Sequence, residues 1–217
     1  MAKTKSVIQF SGTVLGITHV HSKAYGNHVR AIRGTHTPIT LSDGMKESSF
    51  NQAQANKMAK IIFDTSKDFA PGFKDGRFWT RLVSVFRQQK KAGKDYHYSD
   101  FDLMDMRRDY AMSKLGMFSL TAGLNETQHL LLHYNLKPDM PYRLSLLRMA
   151  TDETLLNPFP NEIKEITVNA RTKIGTAEFD FTPLPANSSV LYALKCEPIE
   201  NGKITNSVSG KSVRFYT

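Results

Sequence analysis

Four histidines, His19, His21, His28 and His36, stand within one short basic stretch, and imidazoles at that density are common makings of a metal site. In an extended chain His19 and His21 share a strand face, and His28 falls opposite them once the chain turns back. No cysteine or acidic residue joins them before Asp43, and neighbouring arginines repel a cation. The expectation is no metal, with these histidines exposed or at an interface beside an anion. Gly210-Lys211-Ser212 has the tail of a phosphate-binding loop, but Thr205 occupies the place of its first glycine. A strand pattern follows, so no helix terminus waits for the phosphate. Asp100, Asp102, Asp105 and Asp109 have the density of a calcium loop, yet the sixth position, which requires glycine, is Asp105. They read as a solvated acidic connector. The lone cysteine, Cys196, is in phase with Val190, Tyr192 and Leu194, hence inward-facing and poorly reactive. His129 and His133 share the solvent face of a strand. No nucleophile elbow, dinucleotide fingerprint or His-Glu-x-x-His motif occurs, so the chain reads as non-enzymatic, with no catalytic residue, metal or cofactor.

A set of cations survives this sifting. Lys3, Lys5, Lys23, Arg30 and Arg33 populate the N-terminal stretch, and Arg77, Arg81, Arg87, Lys90, Lys91 and Lys94 lie along a helical pattern. Such side chains grip phosphates with salt-dependent affinity and without reading sequence. Tyr25 and Trp79 are available for stacking on bases, whereas Phe78 is in phase with the core. The same residues also suit a solvated polar face and a basic arm docked on an acidic neighbouring subunit.

The elements that must carry these groups differ along the chain. With 217 residues, 40% hydrophobic and 23% charged, the chain has the composition and length of a folded protein of one or two domains. A single cysteine excludes a disulfide framework. The net charge of +9 is confined to one half: residues 1–98 hold 16 Lys and Arg against 6 Asp and Glu, residues 99–217 hold 13 against 14. That asymmetry points to an anionic partner for the first half. Val7, Ile8 and Phe10 are followed at once by Ser11 and Gly12, so no secretory apolar region forms, and no run suffices for a membrane span. The expected setting is the cytoplasm, or a virion, with no membrane partner.

Residues 6–34 predict a β-hairpin centred on Tyr25–Asn27 with a leading strand. A lone hairpin is marginal in water, so it must dock on its own chain or another subunit. Ser48 or Ser49 caps a helix in which Phe50, Ala53, Met58, Ile61 and Ile62 recur at helical spacing, ended by Ala70-Pro71-Gly72. A second helix runs from about Gly76 to Lys91, with Phe78, Leu82, Val85, Phe86 and Gln89 on one side. Residues 99–113 read as a linker. From Lys114 the period becomes two: Leu130, Leu132, Tyr134, Leu136; Tyr142, Leu144, Leu146; Ile166, Val168, Ala170; Ala177, Phe179, Phe181; Val190 to Cys196; Val213, Phe215. With turn signals between them, about seven strands in about 100 residues make an antiparallel sandwich. The expected class is α+β: a basic hairpin and two-helix segment over 1–98, a linker over 99–113 and a β-sandwich over 114–217.

The run Leu184-Pro185-Ala186-Asn187-Ser188-Ser189-Val190-Leu191-Tyr192 resembles the E–F corner of fibronectin type III and immunoglobulin-like modules. The resemblance implies that fold for roughly residues 115–217 and a corner-locking hydrogen bond from Tyr192, although the Leu-to-Tyr spacing is slightly long. No Cys-Trp-Cys pattern accompanies it, so a disulfide-bonded immunoglobulin domain is excluded. Over its whole length the layout resembles a group of uncharacterised Bacteroidota proteins, on the segments Phe10-Ser11-Gly12-Thr13-Val14 and Tyr25-Gly26-Asn27-His28-Val29-Arg30. That group implies no catalytic residues. Two functions are expected: a self-associating structural subunit of a virion, filament or other assembly, or a sequence-nonspecific nucleic-acid binder working through the basic half.

Overall fold

The computed structural model describes residues 2–3, 11–22, 26–31, 40–122, 129–205 and 207–217. Its contacts divide the chain into two units, Met1–Met45 and Lys46–Thr217. The first unit is a four-stranded antiparallel sheet of β1 (Ala2–Lys3), β2 (Gly12–Val14), β3 (Ile17–Ser22) and β4 (Gly26–Ala31), in the order β1-β4-β3-β2. Leu15 and Gly16 turn the chain between β2 and β3 so that Val14 faces Ile17. None of the described side chains of this unit is buried. The register puts Val20 opposite His28, and His19 and His21 opposite Val29 and Asn27. Directly opposed residues share a face, so His28 lies on the other face from His19 and His21, contrary to expectation. His36 lies outside the described residues.

Helix α1 (Asp43–Phe69) begins earlier than Ser48 because Ser42 supplies the cap, its Oγ accepting the Met45 N–H at 3.3 Å, with Asp43 in the first turn. Burial runs through Ala55, Met58, Ala59, Ile62, Ser66 and Phe69, whereas Phe50 is 62% exposed. The buried stripe therefore starts more than a turn later than the periodicity predicts. Helix α2 (Phe78–Lys91) buries Phe78, Leu82, Val83, Phe86 and Gln89, close to expectation. Buried Gln89 donates to the His97 carbonyl and the Asp100 carboxylate, closing the turn beyond the helix.

The rest of the second unit is β-rich. After a short helix α3 (Met112–Leu115) come β5 (Gly116–Ala122), β6 (His129–Leu136), β7 (Tyr142–Thr151), β8 (Glu162–Val168), β9 (Ile174–Asp180), β10 (Ser189–Glu200), β11 (Lys203–Ile204) and β12 (Ser212–Tyr216). They form two antiparallel sheets, β5-β6-β9 and β11-β10-β7-β8 with β12 also on β10. One core joins them: Leu130, Leu132 and Phe179 of the smaller sheet meet Leu144, Leu146, Leu194 and Cys196 of the larger. A second core lies on the larger sheet's opposite face, where Leu147, Met149, Leu191, Ala193, Val213 and Phe215 pack against both helices. Phe78 of α2 stacks on Phe215 with centroids 6.0 Å apart. The unit is thus layered, with helices on one face of the larger sheet and the smaller sheet on the other.

This layering displaces the expected boundaries. The 99–113 stretch is no linker: Phe101 and Met106 are fully buried in the helix-side core. Met106 N–H and Leu103 N–H donate to the Val213 and Phe215 carbonyls, and Phe215 N–H donates to Met104, so the stretch covers the edge of β12. Asp105 is not solvated but holds Arg214 with two hydrogen bonds of 2.8 and 2.9 Å. Helices and sheets share cores on both sides of the expected 98/114 break, and the contacts thin instead at 45/46. Val213 and Phe215 face the helices, opposite to Leu194 and Cys196. Ile174 and Gly175 open β9; a Cβ at Gly175 would stand 2.5 Å from the Tyr134 hydroxyl, so only glycine lets that ring cross the strand.

Candidate interaction surfaces

The expected cation set separates into three groups. Lys5, Lys23 and Arg33 lie outside the described residues, as does Tyr25. Lys3 is placed on β1, opposite His28, and Arg30 is exposed on β4, opposite Thr18. On α2, Arg87, Lys90 and Lys91 are exposed, with Arg77 just before the helix and Lys94 just after it. The helix contains no acidic residue. Arg81 stands apart from these. Its guanidinium donates to Asp75 at 3.0 Å and to the Asp105 and Met106 carbonyls at 2.7 Å, fastening α2 to the connector. A guanidinium so engaged has little left to offer a phosphate.

The densest charge cluster was not legible in the sequence. Glu197, on the helix-side face of β10 and 6% exposed, receives Arg143 at 2.6 Å, Lys211 at 3.1 Å and Lys195 at 3.3 Å. Burial pushes its carboxyl pKa up, but Arg143, Lys195 and Lys211 outweigh this and leave it lowered. Lys195 also donates to the Phe69 carbonyl at the end of α1 and lies 4.6 Å over the Phe69 ring. Beside it is a cavity of about 90 Å³ walled by Pro71, Phe73, Val208 and Val213. The cluster ties the end of α1 and β10 to Lys211, just before β12. It also takes up Lys211, the lysine of the Gly210-Lys211-Ser212 motif. Cys196 is fully buried, and burial raises its thiol pKa far above the usual range. Among the described residues no three His, Cys, Asp or Glu side chains gather where they would hold a metal ion, and no helix is long and apolar enough to cross a membrane.

Two exposed apolar features stand out. Leu15, in the turn between β2 and β3, is 97% exposed and has φ +49°, followed by Gly16 at +79°. The β10–β11 turn repeats this geometry with Asn201 at +52° and Gly202 at +75°. Asn-Gly is the expected sequence for such a turn, because asparagine tolerates positive φ. Leucine there costs on the order of 1 kcal/mol and exposes its whole side chain. Val14 and Ile17 beside it are also exposed.

The second feature is the outer face of β5-β6-β9. Its rows, read across the paired strands, are Met117–Asn135–Ile174, Ser119–His133–Thr176 and Thr121–Leu131–Glu178. Met117 and Ile174 are 73% and 74% exposed and flank an open groove of about 370 Å³. His133 is held between Thr176 and Thr121, while His129 bonds Asp180 at the far end. The face thus grades from apolar through hydroxyl-bearing to acidic. Signals for both features exist in the sequence: an apolar residue before glycine between two β-runs, and Met117 and Ile174 out of phase with their strands' buried residues.

Comparison with known proteins finds no matching family model, no matching curated protein and no matching solved structure.

Proposed function

We propose that the chain is a non-enzymatic structural subunit that self-associates into a larger assembly, of the virion or filament kind. The observation carrying this reading is a four-stranded sheet with no buried described side chain and with Val14, Leu15 and Ile17 open to solvent. Sheets of that kind gain stability when a neighbour covers a face or adds to an unpaired edge. The facing antiparallel sheets of the second unit support an immunoglobulin-like or fibronectin III-like scaffold. Its proposed corner is the 184–192 run, where Ser188 donates to the Pro185 carbonyl at 2.7 Å. Sedimentation velocity on the full chain, across a hundredfold concentration range, tests the reading. Mass that grows with concentration is expected, and a monomer at every concentration overturns it.

A second reading, sequence-nonspecific nucleic-acid binding, is favoured by the exposed Arg77, Arg87, Lys90 and Lys91 and by the absence of acid from α2. Binding to a duplex is then expected to weaken steeply with salt. Replacing those four residues with alanine lowers the log–log slope by about 3 to 4. No binding at low salt removes this reading.

A further inference from the structure

We propose that the Val14–Ile17 tip of one copy docks on the outer face of the β5-β6-β9 sheet of a second copy, Leu15 filling the groove between Met117 and Ile174. This rests on the self-association reading and adds the joint through which it works. Three observations meet here. Leu15 holds a backbone conformation that leucine disfavours while its side chain is 97% exposed, so the fold maintains an unfavourable residue at a protruding point. The groove presents matching chemistry, with two of the molecule's most exposed apolar side chains at its rim. Charge runs the right way as well. The tip's own sheet carries Arg30 in the row next to the tip and no acidic residue precedes Asp43. The receiving face turns acidic at Glu178 and Asp180, whose side chains are 71% and 84% exposed. From Ile174 to Glu178 along β9 is about 13 Å, and from Leu15 to the Arg30 row about 7 Å, a difference within the reach of an extended arginine side chain, so both contacts fit one orientation. Tip and groove are different surfaces, so the contact is heterologous: each copy offers one of each, and the chain of contacts continues into a ring or filament.

Sedimentation velocity on full-length variants tests the joint. Leu15→Asn keeps the turn, since asparagine suits positive φ, and is expected to weaken association about ten- to hundredfold while leaving the thermal midpoint unchanged or higher. Ile174→Lys, at an exposed position, is expected to do the same from the other side. A one-to-one mixture of the two variants keeps one good tip and one good groove, and is expected to give a dimer that grows no further. If Leu15→Asn and Ile174→Lys assemble as the parent does, the self-association reading survives and this joint does not. If both weaken assembly but the mixture yields no dimer, the tip and groove do not meet. A monomeric parent overturns both ideas together.

Discussion

The first 45 residues and the remainder of the chain use the same alternating pattern to opposite ends. In the larger sheet, β7 and β10 are covered on both faces, by the helices and by β5-β6-β9, and nearly every residue of β7 is buried. In the N-terminal sheet, β3 and β4 are equally regular and fully paired along their register, yet none of their described side chains is buried. The β3–β4 ladder is as continuous as the β7–β10 ladder. What separates them is the apolar area removed from water, at about 25 cal/mol per Å², which backbone hydrogen bonds, nearly balanced by those to water, do not replace. Among the described residues, the N-terminal sheet has no core of its own.

The sharpest way to break this contrast is in the helix-side core. Phe215→Ala removes the ring stacked on Phe78 and is expected to cost about 3 to 5 kcal/mol, read as a lower denaturant midpoint for the second unit.

A smaller effect is expected at Glu162, which accepts from the Thr182 hydroxyl and from Arg148, itself 3% exposed. The Thr182 hydrogen bond leads the interactions that hold its pKa down at about 2, against the opposing effect of burial. A carboxyl lowered in the folded state stabilises above its unfolded value near 4.5 and loses that stabilisation as the pH falls toward 2. Glu162→Gln is expected to cost about 1.5 to 3 kcal/mol at pH 7. The gap between variant and parent should close between pH 4.5 and pH 2, which chemical denaturation across that range will show.

The smallest effect is the most telling for the N-terminal sheet. Val29→Thr, in the middle of β4, is expected to move the thermal midpoint of the second unit by less than about 0.5 kcal/mol in stability terms. Hydrogen exchange on dilute protein should find β3 and β4 amides far less protected than those of β7 and β10. Comparable protection would mean that the sheet has a core after all.

Much of the local structure was legible. The alternation of Leu130, Leu132 and Leu136, the inward Cys196, the Asn201-Gly202 turn and the buried face of α2 all follow from spacing alone. The domain boundary was not. Apolar residues occupy both parities of Leu144-Ser145-Leu146-Leu147-Arg148-Met149 and of Leu191-Tyr192-Ala193-Leu194, which is the mark of a strand buried on both faces. Following one parity gives a two-layer sandwich, and only the other parity reveals that helices must lie beneath. The cation set was legible as residue types but not as a surface. Whether an arginine meets water or protein depends on residues distant in sequence, as Arg81 shows by donating to the Asp105 and Met106 carbonyls.

By itself the sequence determined which stretches pair or coil, which half carries the positive charge, and that no recognisable catalytic motif is present, because these depend on neighbours within a few positions. Tertiary structure alone decided that residues 99–113 belong to the core, that Glu197 gathers Arg143, Lys195 and Lys211, and that Leu15 protrudes while Leu147 is covered. The reason is that burial is a property of what packs from the other side, and for a strand with apolar residues on both faces the packing partner is chosen by elements far along the chain.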